Sequence, residues 1–134
     1  MSPSRLAKTL TVSIDRPAAE VYAFVSDAAN LPHWATAFVK SIRNTSLGWI
    51  AETIVGTVEI EFVPPNEYGV ADHFVRLGPG VEVRVPMRVL SNNAGSEVLF
   101  TLFQTPDMDD DKFAADAALV AHDLQTLKTV LEQR

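Results

Sequence analysis

Residues 49–89, WIAETIVGTVEIEFVPPNEYGVADHFVRLGPGVEVRVPMRV, decide how this chain folds. Apolar and polar side chains alternate through it with a period of two, which is the signature of strands buried on one face. Val55-Gly56, Pro64–Gly69 and Gly78-Pro79-Gly80 punctuate the alternation with turn residues. Connections this short join antiparallel neighbours. Because a period of two locks faces together, register carries from strand to strand. Setting Ile54 opposite Thr57, Val63 opposite Val70 and Leu77 opposite Val81 brings Trp49 to Phe62, Ile60 to His73 and His73 to Val85. Trp49, Ala51, Val58, Ile60, Phe62, His73, Val75, Val83, Val85, Met87 and Val89 then share one face. Glu52, Glu59, Glu61, Asp72, Arg76, Glu82, Arg84 and Arg88 share the other, with opposite signs adjacent, as in Asp72 and Arg84. His73 is the one titratable group left on the apolar face.

The same pattern extends outward, to give strands near 38–44, 49–55, 57–63, 70–77, 81–91 and 97–104. Upstream, residues 5–15 (RLAKTLTVSID) alternate Leu6, Leu10, Val12 and Ile14 with polar residues and read as a first strand. Asp15 and Pro17 then suit a helix start, and Val21, Phe24, Val25 and Ala28 mark its buried face. Leu31-Pro32 stops or re-aims that helix just before Trp34, and Tyr22 lies off its apolar stripe. Downstream, Asp107 or Asp109 can cap a long helix, with acidic residues where its dipole favours them. Phe113, Ala117, Val120, Leu124, Leu127 and Leu131 form one stripe along it, while Asp116, His122, Asp123, Gln125 and Glu132 face water. The stripe has to bury itself against the apolar sheet face.

The 134 residues carry 11 Lys+Arg against 17 Asp+Glu, a formal charge of −6, with no cysteine. That length suits one domain over residues 1–134. An acidic chain is a poor partner for nucleic acid or an anionic membrane. Missing cysteine excludes disulfides, thiolate zinc sites and cysteine nucleophiles. MSPSRLAKTL reads as neither a signal nor a transit peptide, so the expectation is a cytoplasmic protein.

Catalytic signatures are scarce. The histidines at 33, 73 and 122 lack metal-binding spacing, so neither a metal nor a cofactor is expected. Glu59 and Glu61 share the outer face rather than flanking a cleft. No nucleophile elbow, P-loop or dinucleotide fingerprint occurs. Asp107–Asp111 lacks the spacing of a calcium loop.

The whole chain resembles the START-like, or Bet v 1-like, superfamily, also described as polyketide cyclase/dehydrase-like. The resemblance rests on strand 5–15, the phrase RPAAEVYAFVSDAANLPHW, the six-strand run and the closing HDLQTLKTVLE. It implies an α+β helix-grip fold: a seven-stranded curved antiparallel sheet round a long C-terminal helix, with two short helices after strand 1. It also implies a cavity for an apolar or amphipathic small molecule. The glycine-rich loop of plant members is not matched, since residues 44–48 (NTSLG) hold one glycine.

His73 is the leading polar contact for such a ligand. Apolar neighbours disfavour its charged form, leaving a neutral imidazole that can donate or accept. Trp34, Trp49, Phe62, Val85, Met87, Phe113, Val120 and Leu124 are candidate lining residues, each of which also serves as ordinary core. Two other functions stay open: a cyclase/dehydratase-like enzyme with His73 as acid or base, and an interaction module with a vestigial cavity. A homodimer is compatible with all three.

Overall fold

The computed structural model describes residues 3–134. Strand β1 (Ala7–Ile14) leads into α1 (Ala18–Val25), a 3-10 turn over Ala28–Asn30, and α2 (Leu31–Trp34). Seven strands follow: β2 (Val39–Thr45), β3 (Gly48–Thr53), β4 (Gly56–Phe62), β5 (His73–Gly78), β6 (Val81–Val85), β7 (Met87–Asn92) and β8 (Gly95–Phe103). Helix α3 (Asp110–Glu132) closes the chain.

Eight strands form two antiparallel sheets, ordered β1-β8-β7 and β2-β3-β4-β5-β6, where one seven-stranded sheet was expected. Pro86 makes the difference. It has no N–H to give to a ladder, so the continuous strand expected over 81–91 breaks there. The first half pairs with β5 and the second with β8. The expected strand 70–77 is shortened too, because Val70 makes only an isolated bridge to Arg88 and regular pairing begins at His73.

Two hairpin registers also differ from expectation, each by two residues. Trp49 pairs with Ile60 rather than Phe62, and His73 pairs with Phe62 rather than Ile60. At the first hairpin the cause is local. Thr53 Oγ1 donates to the Gly56 carbonyl at 2.8 Å and accepts from Val55 N at 3.1 Å, which centres the turn on Ile54-Val55. An even slip keeps every side chain on its face, so the sorting of apolar from charged residues survives. His73 opposite Val85 is as expected.

The helices contain two further corrections. Pro17, not Asp15, occupies the N-cap of α1 and makes no side-chain cap; the Asp15 amide instead donates to Glu132 at 2.8 Å. In α3 the stripe is buried at Phe113, Ala117, Leu124, Leu127 and Leu131, with Val120 half-buried. Asp109 is its cap, accepting from Lys112 N at 2.8 Å. Asp123, expected in water, is buried because the chain leaving α2 turns over it, and Ala37 N donates to its carboxylate at 2.8 Å. Helix α3 packs along β1, the edge strand of the smaller sheet, and against α2, which itself packs on β2.

Candidate functional site

The chemistry gathers around residues 71–73, where β5 begins. Asp72 faces outward yet is only 1% exposed, because two arginines lie over it. Its carboxylate accepts from Met87 N at 2.9 Å, from Arg88 Nε and Nη2 at 3.0 Å each, and from Arg84 Nη2 at 3.2 Å. Burial alone raises a carboxylate's pKa; here these donors prevail and hold it down at about 2. The expected pairing with Arg84 is present, but Arg88 is the closer partner. The carboxylate thereby ties the start of β5 to both β6 and β7 beside the Pro86 break.

With Asp72 fixed outward, Ala71 and His73 face inward. His73 is 6% exposed. Its ring lies 4.6 Å from that of Phe62, tilted by 31°, and 6.2 Å from that of Phe100, nearly edge-on. Burial pushes the imidazole pKa below its ordinary 6.5, outweighing the Ala71 carbonyl and the Asp72 charge, so the neutral ring expected from the sequence is favoured. Nδ1 lies 3.1 Å from the Ala71 carbonyl oxygen.

Of the other expected lining residues, Phe62 and Val85 adjoin His73 as its neighbours across the two adjacent strands. Trp49 and Phe62 also line a groove of about 460 Å³ together with Tyr22, Ala28, Ile60 and Val63. Phe62 therefore stands between this groove and the imidazole. Val120 is half-buried against the core. Met87 and Leu124 are packed into the core, and Phe113 is buried apart from the main cluster. Trp34, 2% exposed, is a core residue as well, although its indole N–H has no hydrogen-bond partner.

Two contributors were missed from the sequence. Phe100 was signalled by strand pairing, because it stands opposite the inward-facing Met87. Tyr22 lies off the apolar stripe of α1, yet it is half-buried and its hydroxyl accepts from Asn66 N at 3.0 Å. Nothing in the helical stripe announces that contact, since the partner lies 44 residues away. Among the described residues no cluster suited to a metal ion occurs, and no helix is long and apolar enough to cross a membrane.

No family model matches the chain, and no curated protein matches it in sequence. Solved structures do match. A START superfamily protein from Mycobacterium smegmatis aligns over 95% of this chain and 97% of its own, with TM-score 0.71 and 12% identity. Ara h 8.0201 aligns over 96% and 99%, with TM-score 0.67 and 14% identity. The di-domain ARO/CYC BexL, from the BE-7585A biosynthetic pathway, aligns over 95% of this chain and 46% of its own, with TM-score 0.67 and 19% identity. The curved antiparallel sheets, the long closing helix and these alignments together identify the chain's architecture as the START/Bet v 1-like fold.

Proposed function

We propose that residues 1–134 form a single ligand-binding domain, which takes an apolar or amphipathic small molecule between the concave sheet face and α3, with His73 as its polar contact. One observation carries this reading. Trp49, Phe62, Val83, Phe100 and Val120 pack against the core yet remain only half-buried, and the first four belong to strands around His73. A filled core buries such side chains, whereas a pocket wall leaves them accessible and sets a few polar groups among them. Trp34, Met87 and Leu124 belong to the packed core beside these residues. The likeness to the START superfamily protein, Ara h 8.0201 and BexL supports this reading at the level of the fold.

Binding without turnover fits better than cyclisation or dehydration. Acid–base chemistry of that kind gains from a second titratable group beside the first. The nearest carboxylate, Asp72, points to the opposite face and is engaged by two arginines.

Native mass spectrometry of freshly purified protein, with N-phenyl-1-naphthylamine titration as a second readout, tests the reading. A co-purified small molecule, or a saturable one-to-one fluorescence rise, is the expected result. A bare mass together with no fluorescence change would overturn it.

A further inference from the structure

Strand β1 ends the smaller sheet, and among the described residues no strand lies on its outer side. Gln104 N donates to Leu6 O at 2.9 Å, and pairing then runs without a bulge from Ala7 opposite Phe103 to Ile14 opposite Ser96. In an antiparallel pair, alternate residues turn their N–H and C=O toward the neighbour and the others turn theirs away. Lys8, Leu10, Val12 and Ile14 therefore bond to β8, while Ala7, Thr9, Thr11 and Ser13 aim at the open side. Two contacts agree with this phase. Lys128 Nζ donates to Ser13 O at 2.8 Å from outside the ladder. The Thr9 and Thr101 hydroxyls meet at 2.8 Å, as side chains of a non-bonded pair can. With Ser13 O taken, the open groups are the N–H and C=O of Ala7, Thr9 and Thr11.

The other edges are blunted, as exposed edges must be to avoid stray pairing. Strand β2 has a bulge between Val39 and Ser41 and carries Lys40 and Arg43. Strand β6 has five residues and stops at Pro86. Strand β7 is covered where Val89 N donates to Gly69 O and Ala71 N donates to Met87 O. Strand β1, by contrast, has eight residues and no proline.

We propose that β1 pairs with β1 of a second copy of this chain, antiparallel about a two-fold axis at Thr9. Thr9 then faces the partner's Thr9, and Ala7 faces the partner's Thr11. All six open groups find partners, and the Ser13 carbonyl stays with Lys128. An axis one residue nearer Ser13 would need that carbonyl. An axis one residue nearer Ala7 would set Thr11 against Arg5, which lies outside the strand.

Side chains single out a second copy as the occupant. The axis at Thr9 sets Arg5 opposite the partner's Ser13, and in each copy the Ser13 hydroxyl donates to Glu97 at 2.6 Å. Neither Arg5 nor Glu97 forms an ion pair among the described residues. Each copy thus offers a cation at one end of the edge and a carboxylate at the other, and antiparallel pairing joins them twice. On the inner face Leu6, 62% exposed, comes opposite the partner's Val12, which is half-buried.

Sedimentation equilibrium of the full chain from micromolar to millimolar concentration tests this, with amide hydrogen exchange at both ends of the range. Expected is a monomer–dimer equilibrium in which the Ala7, Thr9 and Thr11 amides slow at high concentration. Thr9→Pro removes an N–H that β8 does not use, so the subunit keeps its own ladder. Its dissociation constant should rise about tenfold or more, since one hydrogen bond is lost from each copy. Arg5→Glu and Glu97→Arg should each weaken the dimer and together restore it, which decides the matter where Thr9→Pro does not fold. A monomer throughout overturns the proposal, and so does a dimer that a folded Thr9→Pro variant or the charge reversals leave unchanged. Edge amides that are slow at every concentration overturn it as well, because another occupant then covers β1.

Discussion

Asp72 and His73 are adjacent in sequence and face opposite ways, and each keeps the ionisation state its surroundings select. Asp72 is buried and charged because it collects four donor contacts; His73 is buried and neutral because burial outweighs the one contact it makes, with the Ala71 carbonyl. A carboxylate held at about 2 against an ordinary 3.8 stabilises the fold above pH 4, and that contribution fades as pH falls toward 2. Replacing Asp72 by Asn should therefore cost on the order of 2 kcal/mol at pH 7. Urea denaturation should show this deficit shrinking between pH 4 and pH 2. For His73 the sign is reversed in chemical terms but not in direction. Its folded pKa lies below 6.5, so the unfolded chain takes up the proton more readily and stability falls as pH drops below 6.5. Binding of N-phenyl-1-naphthylamine beside the neutral ring should weaken as pH falls below 6.5, as followed by its fluorescence. This residue-level chemistry was half legible in the sequence. Alternation put His73 on the apolar face, but the Ala71 carbonyl and the second arginine over Asp72 depend on backbone that period-two reasoning does not reach.

The strands and helices were legible wherever periodicity ran long. The stripe from Phe113 to Leu131 gave α3, and its cap at Asp109 follows from a side chain able to satisfy a free N–H of the first turn. Asp109→Ala should lower stability by about 1 kcal/mol, and thermal unfolding should show it as a small drop in Tm. Turns were less legible. The slip at the first hairpin arose because Thr53 captures the turn through its own hydroxyl, and nothing in the apolar pattern distinguishes registers two apart. Gly69 shows another constraint invisible to pattern. Its φ is +71°, and a Cβ there would sit 2.2 Å from the Val89 carbonyl oxygen, so the 64–69 loop can lie against β7 only with glycine at that position. Gly69→Ala should cost more than the roughly 1 kcal/mol typical of backbone strain alone, because β7 itself has to move. A lowered urea midpoint with an unchanged slope is the expected measurement.

At the scale of the whole molecule, the sheet and helix layers were legible and the division of the sheet was not. Faces can be inferred from alternation, but alternation continues in phase from Val85 to Met87, so the period of two does not register the break at Pro86. A ligand seated between the layers should stabilise the fold by mass action, by about 2.7 kcal/mol at a hundred times its Kd. Thermal unfolding with saturating N-phenyl-1-naphthylamine should show a rise in Tm of several degrees.

The break at Pro86 bears on how anything reaches His73. The Pro86 carbonyl accepts from Thr101 N at 3.0 Å, and there the pairing of β7 with β8 ends. From that point β8 continues against β1 while β6 runs on beside β5, and among the described residues no ladder joins β6 to β8. Val85 and Phe100, on either side of this fork, both neighbour the imidazole. The wall therefore has an unlaced seam next to its polar centre. What closes it is side-chain packing within and, on the outer face, the Asp72 carboxylate bridging Arg84 of β6 and Arg88 of β7.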